Sequence, residues 1–180
     1  MSREFNLEKD VAVVTGALGK LGPIWIGALL DAGARVVAID LPGQEPGQGF
    51  GSLQKTYGDD RLQLVHADVT DRQSLAAACS RCLETYGVPS ILVNNAGIDR
   101  PPDSSGATCR LEDIPLAENL RILEVNTAGL FLVTQVFGKP MTDAGRGSII
   151  NIGSLYAGVS PDARFYDHLQ SDPPFLKPPA

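Results

Sequence analysis

Short apolar runs alternate with helical patterns along this chain, and the alternation sets the first expectation. Val11–Thr15, Arg35–Asp40, Leu62–Ala67, Ile91–Asn94 and Ser148–Ile152 are brief and, for the most part, rich in Val, Ile or Leu at both odd and even positions. A strand with one solvated face would alternate; apolar residues on both parities predict strands covered on both faces. Between them, Gly22–Ala32 carries Pro23 near its first position and stops at Gly33, the usual asymmetry of helix ends. Asp71–Tyr86 opens on Thr70-Asp71-Arg72-Gln73, a capping-box spacing, and stops at Gly87. Leu116–Phe137 has apolar residues at Leu120, Leu123, Val125, Leu130, Val133 and Val136 and is expected to end before Gly138 and Pro140. The segments Gly43–Gly51 and Arg100–Ala107 read as Gly/Pro/Ser-rich loops. Strand and helix in strict alternation predict an α/β fold: a doubly wound, Rossmann-type parallel sheet flanked by helices.

The last twenty residues break the rhythm. From Pro161 to Ala180 there are five prolines and no sustained period, so residues 1–160 are expected to form the sheet domain and 161–180 a Pro-rich tail. A parallel sheet whose last strand is uncovered is an odd place for a domain to stop, and the fold is expected to be incomplete on its C-terminal side. An uncovered strand and a bare sheet face predict poor solubility or loose order from about Gly147 onward.

Composition narrows the class. With 180 residues, 43% hydrophobic and 20% charged, the chain is an ordinary globular length and mix. A net charge of −6 and a pI near 4.8 disfavour a nucleic-acid partner. The purely apolar stretches, such as Ile24-Trp25-Ile26, are too short to span a bilayer, and Met1–Phe5 has no apolar signal region. A cytoplasmic protein without membrane partner is the expectation. Cys79 and Cys82 form a C-x-x-C pair, but deep inside the expected helix Asp71–Tyr86 rather than at a helix start, where the dipole would activate a thiol. His66 and His168 offer no zinc-ligand spacing, so the pair reads as small helix residues and no metal site is expected.

The candidate chemistry sits where strands end. The first runs into Thr15-Gly16-Ala17-Leu18-Gly19-Lys20-Leu21-Gly22, and glycines at three-residue spacing let backbone turn sharply and approach a pyrophosphate. The next helix then aims its first N–H groups at that charge. The second strand ends on Asp40, eighteen residues after Gly22, where a carboxylate accepts hydrogen bonds from the ribose hydroxyls of NAD. It repels a 2′-phosphate by as much as about 4 kcal/mol per close charge pair at an effective dielectric near 20. No Lys or Arg between Leu41 and Leu53 compensates, so NAD is expected over NADP; Lys20 is the one basic residue of the glycine turn and could assist a phosphate. The third strand ends in Ala67-Asp68-Val69 and the fourth in Asn94-Asn95-Ala96-Gly97, whose small residues leave room for a flat ring. Either alone could be a strand-end turn.

Taken together these motifs resemble the short-chain dehydrogenase/reductase family over essentially the whole chain. The resemblance rests on T-G-x-x-G-x-x-G at Thr15–Gly22, Asp40, Asp68-Val69, N-N-A-G at Asn94–Gly97, Asn126 in Glu124-Val125-Asn126, and Ser154 closing Asn151-Ile152-Gly153-Ser154. Lys20 stands where a middle glycine is usual and Gly19 supplies it one place earlier, a variant also seen in the family. The resemblance implies that Gly16, Gly19, Lys20, Leu21 and Gly22 hold the pyrophosphate side of NAD. It implies Asp68 and Val69 at the adenine, and Asn95, Ala96 and Gly97 at the adenosine and nicotinamide side. It also implies Ser154 bonded to the substrate's reacting oxygen and Asn126 holding a water in a proton relay. The implied activity is hydride transfer between nicotinamide and a small alcohol or carbonyl substrate, sugar- or polyol-like, with Asp99 and Arg100 beside it; the complete protein is expected to be a homo-oligomer.

The family's proton donor is a tyrosine followed four residues later by a lysine whose charge lowers the phenol's pKa. Tyr166 lies twelve residues after Ser154, but Gln170 stands where the lysine belongs, and Tyr156 is too close to Ser154. The chain is therefore expected to stop before the proton-transferring helix and to be inactive alone. The rival expectation is a non-catalytic NAD-binding or interaction protein.

Overall fold

The computed structural model describes residues 6–99, 115–154 and 158–159. Five strands, β1 (Val11–Thr15), β2 (Arg35–Asp40), β3 (Leu62–His66), β4 (Ile91–Asn94) and β5 (Ser148–Asn151), form one parallel sheet in the order β3-β2-β1-β4-β5. The order reverses beside β1: the chain moves outward to β3, then crosses back to β4 on the other side. Ligands of doubly wound sheets bind at such a switch point, outside the carboxyl ends of the strands.

The double apolar parity has its cause in two separate cores. Ala12, Val14, Val36 and Ala38 point to one face and pack with Ile26 and Leu30 of α1 (Gly22–Asp31) and Phe50 of α2 (Gln48–Tyr57). Val11, Val13, Val37, Ile39 and Leu92 point to the other, against Leu75, Ala78 and Cys82 of α3 (Arg72–Thr85). Val133, Phe137 and Met141 of α5 (Leu130–Asp143) complete that second core. At the far edge β5 is exposed along its length, with Ile149 and Ile150 open to solvent, and β4 is its one strand partner among the described residues.

Helix α2 corrects the reading of Gly43–Gly51 as a loop throughout. Gly49 and Gly51 each cost up to about 1 kcal/mol against alanine within a helix. Burying Phe50, contributing roughly 1.5–3 kcal/mol, offsets that cost, and Leu53 and Tyr57 extend the same face. Gly49 faces the Pro23 ring of α1, where a Cβ would make an ordinary contact at 3.4 Å. Asp71 rather than Thr70 caps α3, accepting from the N–H groups of Gln73 at 2.9 Å and Ser74 at 3.3 Å.

The single helix expected over Leu116–Phe137 is three pieces: α4 (Leu116–Leu123), a π turn over Glu124–Gly129, and α5. Nor does it stop before Gly138. Proline 140 has no N–H for the Val136 carbonyl, but the Cys79 thiol of α3 lies 3.9 Å from that oxygen as a weak donor. With Phe137 and Met141 buried on either side, the helix continues to Asp143. Leu116–Asp143 is long and apolar enough, by length and composition, to cross a membrane. Its apolar residues have a second use here, since Val125, Val133, Phe137 and Met141 pack into the sheet's core.

Candidate functional site

The glycine turn is tied to the neighbouring strand ends by the side chains of Thr15 and Asn95. Thr15, ending β1, accepts from the backbone N–H groups of both Asn95 and Ala96 at 3.1 Å. Asn95 returns the connection: its Nδ2 donates to the carbonyls of Thr15 and Gly16, each at 3.0 Å, and its Oδ1 accepts from Trp25 Nε1 at 3.0 Å. The Asn95 side chain thus clamps the turn to α1. Gly16 sits at φ +64, and a Cβ there would fall 2.8 Å from the Ala96 Cα, so only glycine lets the two strand ends close together. At Gly22 a Cβ would lie 2.4 Å from the Ala17 carbonyl oxygen, which is backbone and cannot turn aside.

Helix α1 opens from this turn with no side-chain cap and no acidic residue in its first turn. Pro23 has no N–H, and the Ile24 and Trp25 N–H groups donate to the Leu21 carbonyl at 3.0 and 3.2 Å, so the N–H end open to an anion is Gly22 and the turn before it. Gly19 and Lys20 in the turn before it are exposed, and Leu21 at the cap is half exposed.

Asp40 is fixed as well as placed. Its Oδ2 accepts from Leu18 N–H at 2.7 Å and its Oδ1 from Leu41 N–H at 2.8 Å. Each oxygen keeps a lone pair for a further donor. Asp68 Oδ1 accepts from the Thr70 N–H at 2.8 Å and hydroxyl at 2.7 Å. Burial works to raise its pKa, but these bonds and the charge of Arg121 outweigh it and hold the carboxyl below its ordinary value.

Between these groups lies a cleft of about 100 Å³, lined by Gly16, Asp40, Asp68, Val69, Ala96 and Gly97 with Ile39, Leu41, Ala67, Ile98, Arg121 and Val125. Six sequence-predicted residues converge there. Gly19, Lys20, Leu21, Gly22, Asn95, Asn126 and Ser154 do not line it. Its walls are mostly apolar and its rim carries two carboxylates and one guanidinium.

Asn126 lies within the π turn and grips the loop after β4: its Oδ1 accepts from Ile98 N–H at 2.8 Å and its Nδ2 donates to the Ile98 carbonyl at 2.9 Å. Gly97 must be small for this, since a Cβ there would stand 3.3 Å from Asn126 Oδ1. Ser154 lies three residues past β5 on the same carboxyl edge, reached through the Ile152 N–H bond to Asn94 O at 3.0 Å, and is exposed. Arg100, Tyr156, Tyr166 and Gln170 lie outside the described residues. Arg121, Ile98 and Leu41 were not singled out from sequence; the one signal for Arg121 is its spacing four residues before Val125.

The C-x-x-C pair belongs to the core. Burial raises the Cys79 thiol, and burial with Cys79 alongside pushes Cys82 up to about 12. Neither is a thiolate near neutrality, and neither lines the cleft.

A model of the short chain dehydrogenase family matches residues 10–165. The 3-alpha-(or 20-beta)-hydroxysteroid dehydrogenase of Mycobacterium bovis is 37% identical over 145 residues, covering 81% of this chain and 51% of that protein. The D-threitol dehydrogenase of Mycolicibacterium smegmatis is 34% identical, covering 88% of this chain and 58% of that protein. The crystal structure of gox2181 superposes with a TM-score of 0.77 at 26% identity, over 97% of this chain and 71% of that one. The chain spans about half the length of the curated relatives it matches.

Proposed function

The chain belongs to the short-chain dehydrogenase/reductase family, a family of oxidoreductases, and on that premise we propose that it binds NAD for hydride transfer to or from a small alcohol or carbonyl compound. The observation that carries this reading is the convergence of Gly16, Asp40, Asp68, Ala96 and Gly97 on one cleft at the switch point of the sheet. NAD, when bound, supplies the hydride acceptor or donor. Gly16, Gly19, Lys20, Leu21 and Gly22 hold the pyrophosphate through backbone N–H groups at the start of α1. Asp40 accepts from the ribose hydroxyls with its free lone pairs and disfavours a 2′-phosphate. Asp68 and Val69 flank the adenine, and Ala96 and Gly97 let the ring system lie against backbone. Asn95 acts through the glycine turn it clamps, and Asn126 positions the loop at Ile98. Ser154 hydrogen-bonds the substrate's reacting oxygen from the same sheet edge. Relatives named for a polyol and for hydroxysteroids support an alcohol or ketone as substrate.

The proton is the missing part. No tyrosine in the sequence has a lysine four residues on: Tyr57, Tyr86, Tyr156 and Tyr166 are followed at that distance by Arg61, Ser90, Ser160 and Gln170. These 180 residues are therefore proposed to bind NAD(H) without turning substrate over. Titration with NADH and NADPH, followed by quenching of Trp25, together with turnover on a panel of polyols and hydroxysteroids, tests both halves. NADH is expected to bind at least tenfold more tightly than NADPH, with no turnover. Equal affinity for the two overturns the role of Asp40, and turnover makes Tyr166 a proton donor despite Gln170.

A further inference from the structure

We propose that Arg121 is a cofactor-binding residue whose guanidinium closes over the adenine end of the cleft and stacks on the ring. The inference deepens the proposed function and rests on that reading of the cleft. Arg121 and Val125, one turn apart across the junction of α4 and the π turn, both line the cleft opposite Asp68 and Val69. The same arginine borders an adjoining groove formed with Ile98, Asp99, Ala117, Glu118 and Ile122, so it stands in the wall between the cleft and open solvent. Its charge reaches inward, since it helps hold the Asp68 carboxyl below its ordinary value.

The residue's other bond does not explain its position. Arg121 Nη1 meets Glu124 Oε2 at 3.0 Å, with both side chains about half exposed. An exposed pair of this kind contributes little and rearranges readily. Among the described residues the rest of the lining is Gly, Ala, Ile, Leu, Val and Asp, with no aromatic side chain to face a purine. A guanidinium is planar, weakly hydrated and stacks on π systems, which an ammonium does far less well. Arg121 is thus the one group of the lining able to cover the open face of an adenine while remaining at the solvent boundary.

The test measures binding to the whole 180-residue chain and to Arg121→Ala and Arg121→Lys, with NADH, AMP and reduced nicotinamide mononucleotide as probes. NADH is followed by quenching of Trp25, the other two by calorimetry. Arg121→Ala is expected to weaken NADH and AMP by the same factor, about 5- to 30-fold, and to leave the nicotinamide nucleotide unchanged. Arg121→Lys is expected to recover less than half of that loss on a logarithmic scale. The adenine-specific pattern distinguishes stacking from general damage to the fold, which would weaken all three probes. Unchanged NADH and AMP affinity in Arg121→Ala overturns the inference, as does full recovery with lysine. Failure of the unaltered chain to bind NADH removes the proposed function itself, and this inference with it.

Discussion

Replacing Asn95 by alanine tests whether this side chain builds the site rather than touching the ligand. The substitution removes three hydrogen bonds, to Thr15 O, Gly16 O and from Trp25 Nε1, each 3.0 Å long. A net contribution of about 0.5–1.5 kcal/mol per bond sets an upper limit of about 4.5 kcal/mol. All three groups are only part-buried, so water replaces some of what is lost, and about 2 kcal/mol is the expected cost. For a domain of this size that lowers the melting temperature by about 4–8 °C. Trp25 is the only tryptophan, so its emission reports the same event directly and should shift to the red as Nε1 turns to solvent. NADH affinity should fall about tenfold, because the ligand must then order a turn that was already fixed, at about 1–2 kcal/mol for each residue involved. Asn95→Asp separates the two halves of the clamp. It still accepts from Trp25 but cannot donate to two carbonyls, so stability should fall at least as far while the emission shift is smaller. A melt within 2 °C of the parent and unchanged emission in Asn95→Ala would refute the clamp.

Four further outcomes follow from the same geometry. Gly22→Ala places a Cβ 2.4 Å from the Ala17 carbonyl, so it should cost about 1–3 kcal/mol in a denaturant titration and abolish NADH binding; a parent-like affinity would mean that the turn relaxes freely. Asp40→Asn should leave one of the Leu18 and Leu41 N–H groups facing an amide donor, and should narrow the gap between NADH and NADPH, read by titration with both. Burial first, then neighbouring charge, raises Cys82 from an ordinary 9.0, and Tyr86 from 10.0, to about 12. Both contribute stability that is complete below their ordinary values and lost as pH climbs from about 9 to 12, so Cys82→Ala should flatten the start of that alkaline decline in denaturant midpoints. Asp68, lowered on folding, contributes stability above its ordinary value that disappears as pH falls through the folded one, and Asp68→Asn should weaken the acid dependence; an unaltered acid limb counts against the Thr70 and Arg121 contacts.

The reasons for what sequence did and did not reveal are local. The central strands were legible because β1 and β2 are covered on both faces, so that Val11–Val14 and Val36–Ile39 are apolar at successive positions; β5 was legible from Ile149 and Ile150 although it lies exposed at the sheet edge. Helix α2 was hidden because its propensity is poor: Gly49 and Gly51 mark a loop until Phe50 is seen buried in one core with Ile26. The π turn was hidden for a different reason. Its cause lies at other places in the chain, where Gly129 meets Val69, whose Cγ2 would be 2.9 Å from an added Cβ, and Asn126 meets Ile98.

The site divides along the same line. Residues that act through backbone conformation, such as Gly16 and Gly22, announce themselves, because few residue types can occupy those positions. Asp40 is legible because it ends a strand. Asn95 and Asn126 were identified as site residues, but their contacts with Trp25 and Ile98 carried no sequence signal, since those partners are fixed only when α1 and the π turn pack. Arg121 carried no signal beyond an ordinary surface arginine on an amphipathic helix, and becomes part of a cleft only through the turn that brings α4 across Asp68. A strand-end motif therefore locates the candidate cleft, while its closing wall is written in the packing of a helix that begins twenty residues after Ala96. Exchanging the arginine should alter adenine recognition and leave the glycine turn and the Asn95 clamp as they are, because none of those contacts passes through α4.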